Sequence, residues 1–309
     1  FPFIYMIGPT NRCNLKCALC PTKYDDTDMP KGFIKEELFY SLVDKISEYA
    51  IELWLYNWGE SLLHPKILDF IRYANNKNIF TNISTNFSLN LTDEKLYNLV
   101  SSGLGLLHVD VDGLDQTIYE KYRIGGNLSL VFKNLKKVIA IKKELKQKYP
   151  IIETGFLVSK YNESYADEYE KQMYDWGVDR AITTRLQLAP KLSMEWMPSE
   201  NSFRHENYLN ESPMPDFCGE LYNKMAINWD GRVASCCYTY DKESDFGKLS
   251  TTNSLHDVWN NEYFRSARNE FSNSKSSLET ICSQCKGRLG SNELTHLRDT
   301  FAIALRKDI

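Results

Sequence analysis

The stretch TNRCNLKCALCP, residues 10–21, decides how the rest of the chain is read. It holds Cys13, Cys17 and Cys20 in a C-x3-C-x2-C spacing, with Leu19 directly before the last cysteine. Three thiolates this close along one loop can each take one iron corner of a cubane cluster. A tetrahedral zinc site needs a fourth protein ligand nearby, or leaves its fourth position to water. The usual electron-transfer cluster is held by four cysteines. This stretch offers no fourth, so the spacing points to a [4Fe–4S] cluster with one iron open to a substrate or cofactor.

Outward from this loop, apolar β-rich runs recur at 3–8, 51–59, 78–86, 106–113, 151–159 and 181–189. Stretches with helical periodicity and charged outer faces lie at 35–49, 65–76, 92–102, 115–122, 129–147 and 163–175. The alternation predicts a parallel sheet of repeated βα units. The fold class is α/β, a partial (β/α)6 TIM-like barrel with its site at the C-terminal ends of the strands. Thr92, followed by Glu94 and Lys95, is a helix start. The lysine-rich run 133–149 is a solvated outer helix around an apolar stripe. Near residue 190 the alternation stops, and 191–215 is a polar, aperiodic linker. A small α+β domain over 216–309 follows the barrel of 1–190. Within it 224–237 is a hairpin turning at Asp230-Gly231, and 254–271 carries a helical apolar pattern.

Composition sets outer limits. With 309 residues, 42% hydrophobic and 25% charged, the chain has room for a core that is stable without disulfide staples. A formal net charge of −4 supplies no basic field for a nucleic-acid partner. No apolar run approaches the roughly 18 residues that cross a bilayer, so no membrane partner is expected. The opening FPFIYMIGPT is too short, and lacks the basic flank, for a signal peptide. The eight cysteines sit at ligand-like spacings in a core-rich chain, which favours metal binding over disulfides. Thiolates kept reduced place the protein in the cytoplasm.

The cysteine triplet resembles the signature of the radical S-adenosylmethionine (SAM) superfamily, C-x3-C-x-Φ-C, with Leu19 at the Φ position. Further motifs follow in the family's order. WGES (58–61) is similar to the glycine–glutamate motif that meets the methionine amino group of SAM; it contributes Gly59, Glu60 and Ser61, and Trp58 stands in place of its first glycine. STN (84–86), with Thr85 and Asn86, closes the third strand. VDVDGLDQTIYEKYRIGG (109–126) is similar to the family's S-V-D-G…Y…R-G-G segment. There Asp110 replaces the usual serine, Asp112 supplies the Asp-Gly, and Arg123 is implied to pair with the SAM carboxylate. LQLA (186–189), with Leu188, ends the sixth strand where relatives contact ribose and adenine. The resemblance implies reductive cleavage of SAM to a 5′-deoxyadenosyl radical that takes hydrogen from an unactivated carbon; the cofactor carries the hard chemistry and the protein positions it.

A second cysteine set resembles the SPASM and twitch extensions of these enzymes. CGELYNKMAINWDGRVASCC starts at Cys218 and reaches Cys236, and CSQC supplies Cys282 and Cys285. A full SPASM domain has further cysteines for a second auxiliary cluster, and none follows Cys285. One auxiliary [4Fe–4S] cluster on Cys218, Cys236, Cys282 and Cys285 is therefore implied. Such a saturated centre suits electron transfer, and the same four thiolates would also satisfy a structural zinc site. Cys237 is left over. It reads either as a small buried hydrophobe beside a ligand or as a catalytic hydrogen-atom donor to a substrate radical. The five histidines form no ligand spacing, and no general acid or base is marked.

The function implied is that of a dehydrogenase-like radical SAM oxidoreductase acting on a small polar, sugar- or cyclitol-like substrate. Its auxiliary cluster would accept one electron, and flavodoxin or ferredoxin would be the electron donor. The layout is similar to the twitch-bearing aminocyclitol dehydrogenases, with no peptide-recognition domain expected before the barrel. The alternative is an epimerase or cross-linking enzyme acting on a ribosomally made peptide. A non-catalytic iron–sulfur or zinc scaffold is the third reading.

Overall fold

Alternation along the strands separates a helix-covered face from a barrel interior. The computed structural model describes residues 1–23, 30–186, 195–203, 217–237, 239–240, 242–272 and 276–284. Six parallel strands run in chain order: β1 (Ile4–Ile7), β2 (Glu52–Trp54), β3 (Phe80–Thr85), β4 (Leu106–Asp110), β5 (Ile151–Val158) and β6 (Arg180–Arg185). Between them lie α1 (Glu36–Ile46), α2 (Ile67–Asn76), α3 (Asp93–Val100), α4 (Gln116–Tyr122), α5 (Leu128–Glu144) and α6 (Ala166–Trp176). Tyr5, Ile7, Leu53, Ile83, Leu107, Val109 and Phe156 pack with Phe39, Leu42, Phe70, Leu96, Leu135 and Tyr169 from the helices in one continuous core. Fully burying such side chains contributes roughly 1.5–3 kcal/mol each. The positions between them face inward: Met6 and Trp54 join a separate small cluster with Ala226 and Ala234.

Local chemistry places the helix starts. The Thr92 side chain accepts from Lys95 N, Asp115 from Ile118 N, and Asn127 from Leu130 N, each satisfying one orphan donor of a first turn. Gly177, at φ 96°, ends α6 in the left-handed region. β2 is shorter than the apolar run 51–59. After Trp54 the chain turns back through Gly59, and Ser61 Oγ donates to Leu55 O at 2.6 Å, so 55–59 becomes loop. Against the predicted run 181–189, the strand begins one residue earlier and spans Arg180–Arg185, and Leu188 lies outside the described residues.

The later region does not form a sheet of its own. β7 (Lys224–Ile227) pairs in parallel with β1, register Ile4↔Lys224. The predicted hairpin then turns at Gly231 (φ 85°) into β8 (Arg232–Ala234), and β9 (Asp245–Lys248) follows antiparallel. The complete order is β6-β5-β4-β3-β2-β1-β7-β8-β9. A one-turn helix, α7 (Glu220–Asn223), leads into β7. The helical pattern at 254–271 is two helices, α8 (Leu255–Trp259) and α9 (Glu262–Glu270). The break falls where the Asn261 side chain turns to cap α9 through Phe264 N, a local bond that competes with helix continuation. No described helix is long and apolar enough to cross a membrane.

Candidate active site at the mouth of the barrel

The cysteine loop leaves β1 and is tied down on two sides. Glu60 N donates to Arg12 O at 2.8 Å, Lys16 N to Ile124 O at 3.0 Å, and Ala18 N to Tyr122 O at 2.9 Å. The loop is thus bonded through its backbone to the segment after β2 and to the end of α4. Gly59 makes the first contact feasible: its φ is +99°, and a Cβ there would sit 2.7 Å from both Thr10 O and Arg12 O.

Cys13, Cys17 and Cys20 line one cavity, together with Gly59, Glu60, Thr85, Asn86, Asp110 and Arg123. Nine of the sequence-derived residues therefore meet in one place. Among the others, Leu19 is half-buried in the cysteine loop and outside the lining. Ser61 and Asp112 are buried behind the wall. Tyr56, Asn57, Trp58, Ser84 and Tyr122 complete much of the lining. These were not singled out as ligands, although all lie in or beside the motifs.

The thiols suit a cluster. Among the described residues no three His, Cys, Asp or Glu side chains converge to hold a single metal ion, yet the three free thiols surround one space. Cys13 Sγ accepts from Leu15 N (3.4 Å) and Asn86 Nδ2 (3.8 Å), and Cys17 Sγ from Arg123 Nη1 (3.8 Å). N–H donors to sulfur are one of the levers by which proteins tune thiolate-bound iron. Burial pushes the Cys13 thiol up to about 12 and that of Cys17 up to about 11. Without metal both are protonated, so loading a cluster releases those protons.

Three hydrogen bonds fix Glu60 to the scaffold. Its Oε1 accepts from Leu62 N (3.0 Å) and Thr85 Oγ1 (2.8 Å), and its Oε2 from Asn86 N (2.8 Å). Burial pushes its carboxyl up to about 7 against those three donors. Oε2 keeps one acceptor direction for an incoming ammonium.

From Asp110 and Arg123 in the cavity wall a ladder of alternating charge, which the motifs only half revealed, runs into the sheet. Asp112 pairs with Arg123 (2.5 Å), Arg123 with Asp110 (3.1 Å), Asp110 with His108 (3.5 Å), His108 with Glu153 (2.9 Å) and Glu153 with Arg180 (3.0 Å). It crosses β4, β5 and β6. His108, Glu153 and Arg180 are neighbours in the strand register. Gly155 leaves room for the imidazole, since a Cβ there would lie 2.5 Å from His108 Nε2. The readable signal was charge at alternate positions of apolar runs, as in LLHVDVDG and IIETGF. His64, by contrast, is a satisfied core histidine bonded to Ile34 O and Lys66 N.

Burial alone would lower the His108 pKa, but Asp110 and Glu153 outweigh it and raise the value to about 10. Against about 6.5 in the unfolded chain, this charge stabilises the fold fully below pH 6.5 and is lost as pH rises through 10. The stability difference between wild type and His108→Gln in urea unfolding should therefore shrink by on the order of 5 kcal/mol over that interval. A difference independent of pH there would remove the imidazolium from the ladder.

The second cysteine set is only partly described. Cys218 and Cys282 pack against the main core; Cys236 and Cys237 follow β8, and Cys285 lies outside the described residues. Cys237 packs with Met6, Ala226, Ala234, Trp54 and Tyr56 on the inward face, and its thiol donates to Glu220 Oε2 at 3.7 Å.

Comparison with known proteins agrees with this geometry. Residues 7–154 match the radical SAM superfamily and residues 218–286 the SPASM iron–sulfur cluster-binding domain. A probable GTP 3′,8-cyclase of Methanococcus maripaludis is 28% identical over 137 residues, covering 44% of this chain and 46% of the relative. The chain thus spans under half the length of that curated relative. Among solved structures, anSMEcpe with bound S-adenosylmethionine and the Cp18Cys peptide superposes with TM-score 0.63 at 16% identity, covering 94% of this chain and 88% of that one. BtrN in complex with S-adenosylmethionine and 2-DOIA superposes with TM-score 0.51 at 17% identity, covering 88% and 87%.

Proposed function

We propose, from the premise that this chain belongs to the radical SAM superfamily and carries a SPASM domain, that it oxidises a small polar substrate by two electrons. SAM and [4Fe–4S] clusters are its cofactors. The observation that carries the reading is the meeting of Cys13, Cys17 and Cys20 with Asn86, Asp110 and Arg123 around one cavity. Bound there, the cluster and SAM together supply a 5′-deoxyadenosyl radical that takes a hydrogen atom from an unactivated C–H.

The residues have distinct tasks in this reading. Cys13, Cys17 and Cys20 hold three irons. Arg123 faces the SAM carboxylate, with Asp110 as a competing anion that His108 partly neutralises from behind. Glu60, tied to Asn86 and Thr85, offers its remaining acceptor direction to the SAM ammonium. Gly59 holds the loop against the cysteines, and Leu188 is assigned to the adenosine by its motif alone. Residues 1–190 form the barrel, 191–215 the connection and 216–309 the auxiliary domain. Cys218, Cys236, Cys282 and Cys285 would hold the auxiliary cluster, which would supply an acceptor for one electron of the oxidation. Flavodoxin or ferredoxin supplies reducing electrons, and the protein works in the cytoplasm.

The BtrN chain, held with 2-DOIA, matches this one over nearly nine-tenths of both lengths, which supports a small-molecule substrate. The test is Cys236→Ala in anaerobically reconstituted protein. Oxidised product per 5′-deoxyadenosine should fall at least about tenfold, as expected when an interaction acts only after radical formation. Unimpaired two-electron oxidation would refute the acceptor role. A peptide substrate is the second reading, favoured by the anSMEcpe complex with its peptide and by Cys237 facing inward. It predicts deuterium from heavy water at a peptide α-carbon, with loss of that label in Cys237→Ala.

A further inference from the structure

Trp58 joins two regions far apart in the chain. It lines the cavity with the three N-terminal thiols. Its indole Nε1–H donates to Thr239 O at 3.1 Å, and its ring meets Tyr240 edge-on, with centroids 5.2 Å apart at 66°. Thr239 in turn donates from its N (3.4 Å) and its Oγ1 (3.0 Å) to Cys236 O. Thr239 is thereby tied back to Cys236, and with Tyr240 it is pinned to the cavity wall by one hydrogen bond and one aromatic contact. Beside it, Tyr56 also lines the cavity and packs in the same cluster as Cys237. Two aromatic side chains from the loop after β2 thus line the cavity and also pack with residues of the later cysteine segment.

A glycine at 58 would supply neither the donor nor the ring. Thr239 O would lose this partner, and Tyr240 would lose an edge contact of a kind that contributes about 0.5–1.5 kcal/mol. We propose that Trp58 is a positioning residue: it fixes the turn bearing Cys236 at the wall of the cofactor cavity. In doing so it sets the environment of the centre that Cys236 binds and its coupling to chemistry in the cavity. The coupling rests on the reading of Cys236 as a ligand; the pinning of the turn does not.

Three measurements on full-length, anaerobically reconstituted protein test it. Trp58→Phe keeps a ring and removes the N–H, whereas Trp58→Gly removes both. Hydrogen–deuterium exchange of the 235–240 segment should quicken about fivefold to tenfold in Trp58→Phe and further in Trp58→Gly, as expected when a local contact guarding an opening is lost. The dithionite-reduced EPR signal of the C-terminal centre, read in a Cys13→Ala, Cys17→Ala, Cys20→Ala background, should change in line shape and midpoint potential in the Trp58 variants. Product per 5′-deoxyadenosine should fall in the same order. Unchanged exchange in both variants would overturn the pinning, and faster exchange with an unaltered EPR signal would overturn the coupling. If Trp58→Gly does not fold, Trp58→Phe alone decides. If Cys236→Ala leaves oxidation intact, the acceptor reading fails, while the exchange result still judges Trp58.

Discussion

Alanine at Cys17 is expected to strip the N-terminal cluster and reduce 5′-deoxyadenosine formation to below about a thousandth of wild type, since without the cluster the chemistry it carries is gone. Cys17 is the most buried of the three thiols at 7% exposure, and it receives the Arg123 N–H. Loss of its sulfur leaves at most two local ligands and an Arg123 side chain with one partner fewer. The fold itself should survive, because deleting one small buried group costs about 1 kcal/mol. Anaerobic iron and sulfide analysis, EPR of the reduced protein and chromatography of the SAM products measure the effect. A Cys17→Ala protein with full iron and unimpaired SAM cleavage would sink the three-cysteine reading.

Gly59→Ala should damage the same site through the backbone. The added methyl would meet two carbonyl oxygens at 2.7 Å, in a residue already at φ +99°. Left-handed backbone alone costs an alanine about 1–2 kcal/mol. The collision with Thr10 O and Arg12 O cannot be relieved without moving the cysteine loop, and we expect a total loss of about 3 kcal/mol or more, within the range of strained special positions. Gly125→Ala is the control: at φ +81° it has nothing within 4 Å of its added carbon, so only the backbone cost applies. Urea unfolding of the two metal-free variants measures the difference. Equal losses would show that the contact with the cysteine loop relaxes freely.

Much of this was legible in the chain itself. Five strands fall within their apolar runs and the sixth overlaps its own, and Thr92 begins α3 as its Thr-Asp-Glu-Lys context indicates. The cysteine spacing, Gly59-Glu60 and Arg123 all come to one cavity, because motif residues at strand ends are brought together wherever parallel strands end side by side. Less legible were features that depend on partners distant in sequence. Nothing in KMAI says that it will lie parallel to IYMI, since both are short apolar runs without a distinguishing register signal. His108 has no ligand spacing; its role emerges only when Glu153 and Arg180 arrive from neighbouring strands. The helix break at Asn260–Asn261 was in view as two adjacent asparagines, which prefer caps to helix interiors.

The place of β1 between β2 and β7 has a consequence for biosynthesis. Strand β1 gains one lateral neighbour, β2, soon after it is synthesised and the other, β7, only long afterwards. Until Lys224–Ile227 emerges, that flank of the nascent chain presents open N–H and C=O groups, a template for pairing with other chains. Shortened versions ending after the sixth barrel strand would keep that bare flank permanently, and self-association is their expected fate.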